Sequence, residues 1–455
     1  QTDGKIYSKR TVKPMQKTIN LSGAESTPDN TKIFDSKAYK RSRKAYMAQC
    51  TIEYFVSILV ADAFLAKLLT YIGISDSLTG IISSFISLAF MFQILAIPLV
   101  KHMKNTKKTV LIFDTLSQIF FMSIYIIPFM PLSTTFKTVL VIVSVLVAYF
   151  AKYLIYSIFF KWANSYVEPS NRGEYSAVKE MISLFSGIIF TLAVGFIIDK
   201  FEAIGNLEGG FLFIATVMLA LNFCNFVSIL KIKNDDAAHE EKHSLKDVLK
   251  HTTGNKNFIN VMIMTSLWDM GRYMTIGFMG TFKTNDLLLS VGIVQVINMI
   301  GNLIRLFVSK PFGRYSDKTS FAKGFNLALL IAAVGFGVNI FAATDRVWCV
   351  VVFTIMYAVC LAGTNQNSFN IIYSYVDGDY IVPAMSVKNC VGGLLGFGAS
   401  LVGGKILSMI QAGGNTFLGF HVFGQQVLSA ISLILLIAAM VVNKAVIQKQ
   451  SVIKQ

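Results

Sequence analysis

Apolar residues fill twelve long stretches of the chain, and short polar or charged segments separate them. Each stretch has at least about 20 residues, the length that lets an α-helix cross the hydrocarbon core of a bilayer. The pattern therefore predicts twelve transmembrane helices. They are called spans 1 to 12 here and lie at residues 47–72, 79–100, 109–130, 138–163, 178–199, 210–231, 257–282, 288–309, 321–342, 347–373, 383–408 and 424–445.

The polar segments divide this pattern into an all-α membrane protein with two bundles. A basic tail at 1–46, with few large apolar residues, is predicted to be mobile. The segment 232–256 is charged and contains a predicted short amphipathic helix at Ser244–His251. It separates a six-helix bundle at 47–231 from a second one at 257–445, and a short tail follows at 446–455.

The two predicted bundles share a sequence register. At a shift of 209 residues, one gap-free offset aligns two helix ends, a loop and the following helix: Ser165–Glu168 on Ser374–Asp377, Val178–Lys179 on Val387–Lys388, Gly187 on Gly396 and Gly195 on Gly404. Convergent composition of membrane loops is the alternative explanation. Duplicated six-helix halves are a transporter architecture whose substrate site lies between the repeats. The register therefore predicts two pseudo-symmetric halves.

The large positive net charge does not change the prediction of a membrane protein. The formal net charge is +16, yet most Lys and Arg residues lie in the tails and in the loops on the same side as the tails. The opposite loops hold only Lys137, Lys200, Lys283 and Arg346. This asymmetry predicts a plasma-membrane protein with both termini in the cytoplasm. The charge is thus explained by orientation, and without a nucleic-acid motif it predicts no nucleic-acid partner.

Catalytic and metal-binding patterns are missing from the sequence. The five cysteines form no C-x-x-C pair, the five histidines show no H-x-x-x-H spacing, and there is no P-loop. We therefore expect a protein that is not an enzyme, with no cofactor and no metal site, acting as a monomer.

After span 8 the chain reads Pro311-Phe312-Gly313-Arg314-Tyr315-Ser316-Asp317-Lys318. This segment resembles the G-x-L-[small]-[D/N]-[R/K] signature of the major facilitator superfamily of secondary transporters. The resemblance implies the twelve-helix fold of that family and a cytoplasmic gate at Gly313, Arg314, Asp317 and Lys318. Glycine would permit a turn at the helix end, and Asp317 would cap the next helix or pair with a basic residue. The matching first-half loop at 101–108 lacks both the glycine and the aspartate.

Ionisable residues inside a membrane need a partner or a wet cavity. Asp62 in span 1 and the pair Asp269 and Arg272 in span 7 lie at similar depth in repeat-related spans. The hypothesis is that these three residues form a central cluster that binds a polar substrate group or carries a coupling proton. A permanent ion pair that holds the halves together is the structural alternative.

Span 4 carries a lysine among three tyrosines, and spacings of three and four place them on one helix face: Tyr149, Lys152, Tyr153 and Tyr156. This face suits an anionic substrate, with Lys152 paired to Glu53 or Asp62 as the alternative. A polar stripe in span 8 (Gln295, Asn298, Asn302 and Arg305) and amides in span 10 (Asn365 and Gln366) suit hydroxyl-rich or zwitterionic solutes. Interhelical hydrogen bonds would explain them equally well.

The leading functional hypothesis is secondary active transport of a polar or charged small solute by alternating access. A sugar derivative, an organic anion or a similar metabolite would fit, with protons as a candidate coupling ion. Multidrug efflux is the alternative within transport. A non-transporting membrane sensor or a lipid scramblase on the same fold is the alternative from another class.

Overall fold

The computed structural model describes residues 34–168, 171–234, 244–376, 380–417 and 419–450. The helices of the first half are α1 (Lys37–Leu59), α2 (Asp62–Ile72), α3 (Asp76–Ser83), α4 (Phe85–Ala89), α5 (Ala96–His102), α6 (Thr106–Ser123), α7 (Thr134–Asn164), α8 (Arg172–Ala203) and α9 (Leu207–Lys231). Two 3-10 turns, Phe90–Leu95 and Ile127–Phe129, complete spans 2 and 3.

The linker forms α10 (Leu245–Gly254). The second half contains α11 (Lys256–Thr275), α12 (Met279–Thr281), α13 (Val291–Lys318), α14 (Phe321–Asn339), α15 (Trp348–Tyr373), α16 (Ile381–Ala412) and α17 (Gly424–Ala445). A 3-10 turn (Ile276–Phe278) and a π-helical turn (Phe282–Asp286) flank α12, and a further 3-10 turn (Ile447–Lys449) follows α17. Two-residue strands, β1 (Thr416–Phe417) and β2 (Phe420–His421), pair antiparallel between α16 and α17.

Nine helical segments of the described chain are long and apolar enough to cross a membrane, and the pair α1 and α2, bent by 44°, would be a tenth. Spans 3 and 7 are helical but more polar: α6 carries Lys107, Lys108 and Asp114, and α11 carries Asp269 and Arg272. The all-α membrane architecture is confirmed. The count of twelve spans stays a prediction, because α6 and α11 are less apolar than the helices counted as membrane spans.

The first helix begins at Lys37, ahead of the predicted boundary at residue 47. Ser36 caps it by accepting a hydrogen bond from the backbone of Tyr39, and Arg43 donates to the carbonyl oxygens of Phe34 and Tyr166 at 2.9 and 3.0 Å. Charged residues therefore continue this helix beyond its apolar part. Residues 1–33 of the predicted tail lie outside the described residues.

The predicted linker helix is confirmed and extends slightly farther than expected. Its N-terminus is a capping box, in which Ser244 and Asp247 each accept a hydrogen bond from the other's backbone N–H. Residues 235–243, which precede it, lie outside the described residues.

Each half has its own apolar core. Phe64, Leu68 and Met218 lie in the core of the first half, and Phe258 and Phe336 in that of the second. Large apolar side chains also remain exposed along the helices, as expected where lipid replaces water: Phe136, Phe185, Phe223, Phe307, Trp348 and Ile434. The residue boundaries of the two bundles stay a prediction.

The halves contact each other through symmetry-related helix pairs. In one pair α8 packs against α13, and in the other α16 packs against α3 and α4. Glu180 and Asn389, which the shift of 209 makes equivalent, both reach across this boundary. Glu180 lies 3.8 Å from Arg305, and Asn389 donates to Gln93 at 3.2 Å. The sequence repeat thus has a counterpart in the contacts.

Candidate functional site

Asp62 begins α2 at the break in span 1. Its φ angle of 45° is in the left-handed region, which aspartate tolerates better than most residues. The carboxylate accepts hydrogen bonds from Lys283 Nζ at 3.0 and 3.1 Å and from Asn298 Nδ2 at 2.8 Å. Gly280 lets α12 approach, since a Cβ at that position would lie 2.7 Å from the Asp62 carbonyl oxygen. Asp62 therefore joins the first half to two elements of the second.

Lys283, which was assigned to a loop on the side opposite the termini, lies in a helical turn instead. Its side chain is buried, with 4% of its surface exposed, in the π-helical turn after α12. A 3-10 turn, α12 and the π-helical turn follow α11 without a break. Helical structure therefore continues to Asp286, past residue 282 where hydropathy alone ends span 7. This placement gives the Asp62 carboxylate a fixed counter-ion.

Asp269 and Arg272 form a second ion pair, with an Arg272 Nη2 to Asp269 Oδ1 distance of 2.8 Å. The guanidinium also lies over the ring of Tyr273, 4.5 Å from its centroid. Gly392 allows α16 to approach, because a Cβ there would lie 2.3 Å from Asp269 Oδ2. The structure brings Asp269 and Arg272 together as predicted. Asp62 has its own basic partner, Lys283, so the three predicted residues take part in two ion pairs.

Lys152 lies on α7, and its Nζ atom is 2.7 Å from Glu53 Oε1. Gln49 donates to the same carboxylate at 3.0 Å. Of the open alternatives for Lys152, the pairing with Glu53 is therefore observed. Tyr153 stacks near Tyr156, with ring centroids 5.9 Å apart, and Tyr149 lies beyond it, buried in the first-half core.

A cavity of about 290 Å³ lies beside this pair within the first half. Its polar lining includes Gln49, Glu53, Asp114, Lys152 and Lys179. We call it the first-half cavity. Asp114 on α6 was not among the predicted site residues, although an aspartate inside a predicted span was a signal for it.

A second cavity of about 270 Å³ lies between the two halves and is called the central cavity. It is lined by Tyr54, Ser57, Ile58, Ala61, Asp62, Gly187, Ile188 and Thr191 of the first half, and by Gln295, Asn298, Met299, Asn302, Thr354, Tyr357, Ala358 and Leu361 of the second. Four residues singled out from the sequence, Asp62, Gln295, Asn298 and Asn302, therefore line one space. Tyr54 and Ser57 line both cavities, so the two are adjacent.

The other predicted polar residues lie outside that lining. Arg305, one turn beyond Asn302, faces Glu180 at 3.8 Å. Asn365 and Gln366 are exposed on α15. The amide stripe of span 8 thus reaches the central cavity, and the amides of span 10 do not line it.

The predicted gate loop is not a loop. Helix α13 continues through Gly313 to Lys318, so Gly313 makes no turn, and Ser320 rather than Asp317 caps the next helix. Gly313 is buried, and a Cβ there would lie 2.8 Å from Gln366 Nε2. Its smallness therefore serves close packing of α13 on α15. Arg314, Asp317 and Lys318 are exposed, and Asp317 has no ion-pair partner within the described chain.

Hydrogen bonds close the end of the central cavity away from the termini. Asp76 accepts from Asn285 at 2.7 Å and from Gln411 at 3.0 Å, and Asp199 accepts from the backbone N–H of Gly292 at 2.8 Å. Each contact joins the first half to the second. This network is called the outer closure, and its members were not predicted because each lies at the polar margin of a span.

Asp286 lies beyond the end of span 7, next to the outer closure. It accepts a hydrogen bond from Gln425 Nε2 at 3.0 Å. Burial raises the pKa of Asp286 to about 7, and the nearby Asp76 carboxylate adds to the increase. Asp286 therefore titrates near neutral pH at the closed end.

The sequence model of the Major Facilitator Superfamily matches residues 47–400. The chain belongs to the Major Facilitator Superfamily. Members of this family are typically transporters rather than enzymes, so the chain is a multi-pass membrane protein of a transport family. No curated protein matches the sequence.

Solved structures share the fold at low sequence identity. The nucleoside transporter NupG is 13% identical with a TM-score of 0.64, covering 91% of this chain and 100% of its own. A bacterial homologue of the human lysosomal transporter Spinster, inward-facing and unoccupied, is 14% identical with a TM-score of 0.67, covering 91% and 98%. A D-xylose–proton symporter is 14% identical with a TM-score of 0.65, covering 90% and 97%. These similarities establish the fold alone.

Proposed function

We propose that the protein is a secondary active transporter that moves a polar or charged small solute by alternating access. One observation carries the proposal: the central cavity lies between the halves, takes its lining from both, and is closed at one end by bonds that cross between them. A space built this way changes sides when the halves rock, which is how repeat-built transporters work.

The lining supports a polar cargo. Gln295, Asn298 and Asn302 present amide groups that both donate and accept hydrogen bonds, and Tyr54 and Tyr357 add rings with a hydroxyl tip. Such a surface suits hydroxyl-bearing molecules such as sugar derivatives, or organic anions that accept from the amide nitrogens. The cavity volume of about 270 Å³ suits a small metabolite of these classes.

The orientation follows from the charge asymmetry. Basic loops on the side of the termini favour a cytoplasmic location for both termini in the plasma membrane. The outer closure lies at the opposite end, so in this conformation the cavity is closed on the side away from the termini. The same proposal makes the outer closure the set of contacts that must separate before solute enters from outside.

Asp62 is the candidate coupling residue. Its ion pair with Lys283 joins the halves at the edge of the cavity. A proton on Asp62 would remove the attraction to Lys283 and so favour separation of the halves at this point. Protons are therefore the coupling ion that this ion pair suits.

The direct test is solute counterflow in liposomes that contain the purified full chain. A panel of labelled sugars, nucleosides, organic anions and amino acids would be screened with Asn298→Leu as the cavity variant and Asp345→Asn as the control. Asp345 lies in an exposed segment between α14 and α15. Counterflow of a polar solute that Asn298→Leu abolishes and Asp345→Asn retains is expected. No counterflow of any solute would contradict the proposal, and selective efflux of lipophilic dyes would favour multidrug transport instead.

A further inference from the structure

A buried polar cluster lies between α6 and α9, beside the first-half cavity. Asn225 Nδ2 donates a hydrogen bond to Asp114 Oδ2, and one turn away Asn222 Nδ2 donates to the backbone carbonyl of Gln118 at 3.2 Å. Asp114, Gln118 and Asn225 are each at least nine-tenths buried. The cluster plays no part in the central cavity described above.

Asn222 and Asn225 donate through their amide nitrogens, but four side-chain oxygens of the cluster accept no hydrogen bond. Asn225 Oδ1, Asn222 Oδ1, Gln118 Oε1 and Ser117 Oγ are buried and have no hydrogen-bond partner among the described residues. Burying a polar atom without a partner costs free energy, and native proteins rarely leave several together. The unsatisfied side-chain atoms of this cluster are all oxygens, and oxygens are the ligands of hard cations.

The corresponding helices of the second half are joined by polar contacts at other positions, since Asn339 Nδ2 donates to Ser429 Oγ at 2.8 Å and Asn443 Nδ2 donates to the carbonyl oxygen of Ala322 at 3.1 Å. Helix α14 is matched to α6 by counting from their N-caps, Ser320 and Asn105. The α14 positions that match Asp114, Ser117 and Gln118 are then Leu329, Ala332 and Ala333. Counted from Asn206 and Phe423, the α17 positions that match Asn222 and Asn225 are Ala439 and Val442. Helices α14 and α17 also pack against each other. The positions of the Asp114 cluster are therefore apolar in the second half, and a carboxylate between these two helices is found in the first half.

We propose that Asp114, Asn225 and the neighbouring oxygens of α6 bind one Na⁺ ion, which acts as a second coupling ion beside the proton proposed at Asp62. The ligands are one carboxylate and several neutral oxygens, so one monovalent cation balances the charge, whereas a divalent cation would leave an excess positive charge in the membrane. Lys152 directs its ammonium to Glu53, and within the described chain Asp114 has no ion-pair partner.

An ion can reach this site from the first-half cavity. Asp114 and Gln49 both line that cavity, and Gln49 Oε1 is a further buried oxygen without a hydrogen-bond partner in the described chain. The cavity shares Tyr54 and Ser57 with the central cavity. Occupancy by Na⁺ would thus be linked to the solute site through α1. Only the coupling role of Na⁺ rests on the proposed function, because binding of the ion does not itself depend on transport.

The test is thermal melting of the detergent-purified full chain as Na⁺ replaces choline from about 1 to about 200 mM at constant chloride, with K⁺ as a second replacement. The melting temperature is expected to rise with Na⁺ alone. Asp114→Asn should remove the rise, and Asp345→Asn, which changes an exposed carboxylate, should retain it. Asn225→Ala keeps the carboxylate and should weaken the apparent Na⁺ affinity by about tenfold or more. If Asp114→Asn does not fold, the Na⁺ affinity of Asn225→Ala provides the test.

A melting temperature that does not depend on Na⁺, or a rise that persists in both Asp114→Asn and Asn225→Ala, would overturn the site. Dependence on pH without dependence on Na⁺ would also overturn it and assign a proton to Asp114. Na⁺ binding in a protein that shows no solute counterflow would support the site while contradicting the proposed function. The two failures are therefore distinguishable.

Discussion

Lys283 of the second half places its ammonium 3.0 Å from the carboxylate of Asp62 in the first half. The lysine is buried and the aspartate lines the central cavity. This ion pair joins the two halves beside the central cavity, so the proposed transport depends on it most directly.

Lys283→Met is expected to destabilise the protein because it leaves the partly buried Asp62 carboxylate without its counter-ion. Asp62→Asn in the same chain should recover part of the loss, since no charge then remains unpaired. Melting of the two single variants and the double variant gives the coupling energy, for which about 1–3 kcal/mol is expected. Lys200→Met, at an exposed position, is the control. Additive effects of Lys283→Met and Asp62→Asn would show that the pair contributes nothing to stability.

Gly277→Ala should strongly disfavour the closed outer end. A Cβ at Gly277 would lie 2.4 Å from the backbone oxygen of Gly80, so α3 and the turn after α11 would have to separate. Overpacking of this kind typically costs about 1–3 kcal/mol. Gly337→Ala is the matched control, because the nearest atom to a Cβ there is 3.9 Å away, and a helical glycine replaced by alanine gains up to about 1 kcal/mol. Equal melting temperatures for the two variants would be inconsistent with the close approach at Gly277.

The pH dependence of stability should include a contribution from Asp286. Its pKa is raised to about 7 in the folded protein, so the folded state holds a proton that the unfolded chain releases at lower pH. Stability from this group is therefore greatest at acid pH and falls as the pH rises from about 4 to about 7. Asp286→Asn should flatten the melting temperature across this window relative to the unaltered protein. A steeper fall in the variant would reverse the assigned sign.

Neutralising the two aspartates separately tests proton coupling. Asp62→Asn is expected to abolish uptake driven by a pH gradient while sparing solute exchange, because exchange needs the cavity but not the proton step. Asp269→Asn serves as the comparison, since its carboxylate is paired with Arg272 within α11. Unchanged driven uptake in both variants would rule out proton coupling through either residue.

The sequence was most informative where burial conflicts with charge. Asp62, Asp269 and Arg272 are conspicuous because ionisable groups are rare in apolar spans, and each has a close polar partner in the structure. Lys283 was missed because hydropathy ends span 7 before it. Which charges pair depends on the packing of distant segments, so the partners could not be derived from local composition.

Local sequence was misleading at Gly313. Proline and glycine within three residues favour a turn, yet α13 continues past both because α15 packs against it and Gln366 occupies the space beside Gly313. Tertiary packing therefore overrides a local signal. The repeat at a shift of 209 was a better guide, since Glu180 and Asn389 each make a polar contact across the halves.

The most direct measurement of alternating access follows two distances in one set of proteoliposomes. Spin labels at Ile204 and Ala412 report on the outer end, and labels at Phe160 and Tyr315 report on the end near the termini; all four positions are exposed. On addition of a transported solute, the outer distance is expected to lengthen while the inner one shortens. Lys283→Met should shift the same balance without solute. Two distances that stay fixed under every condition would contradict the account.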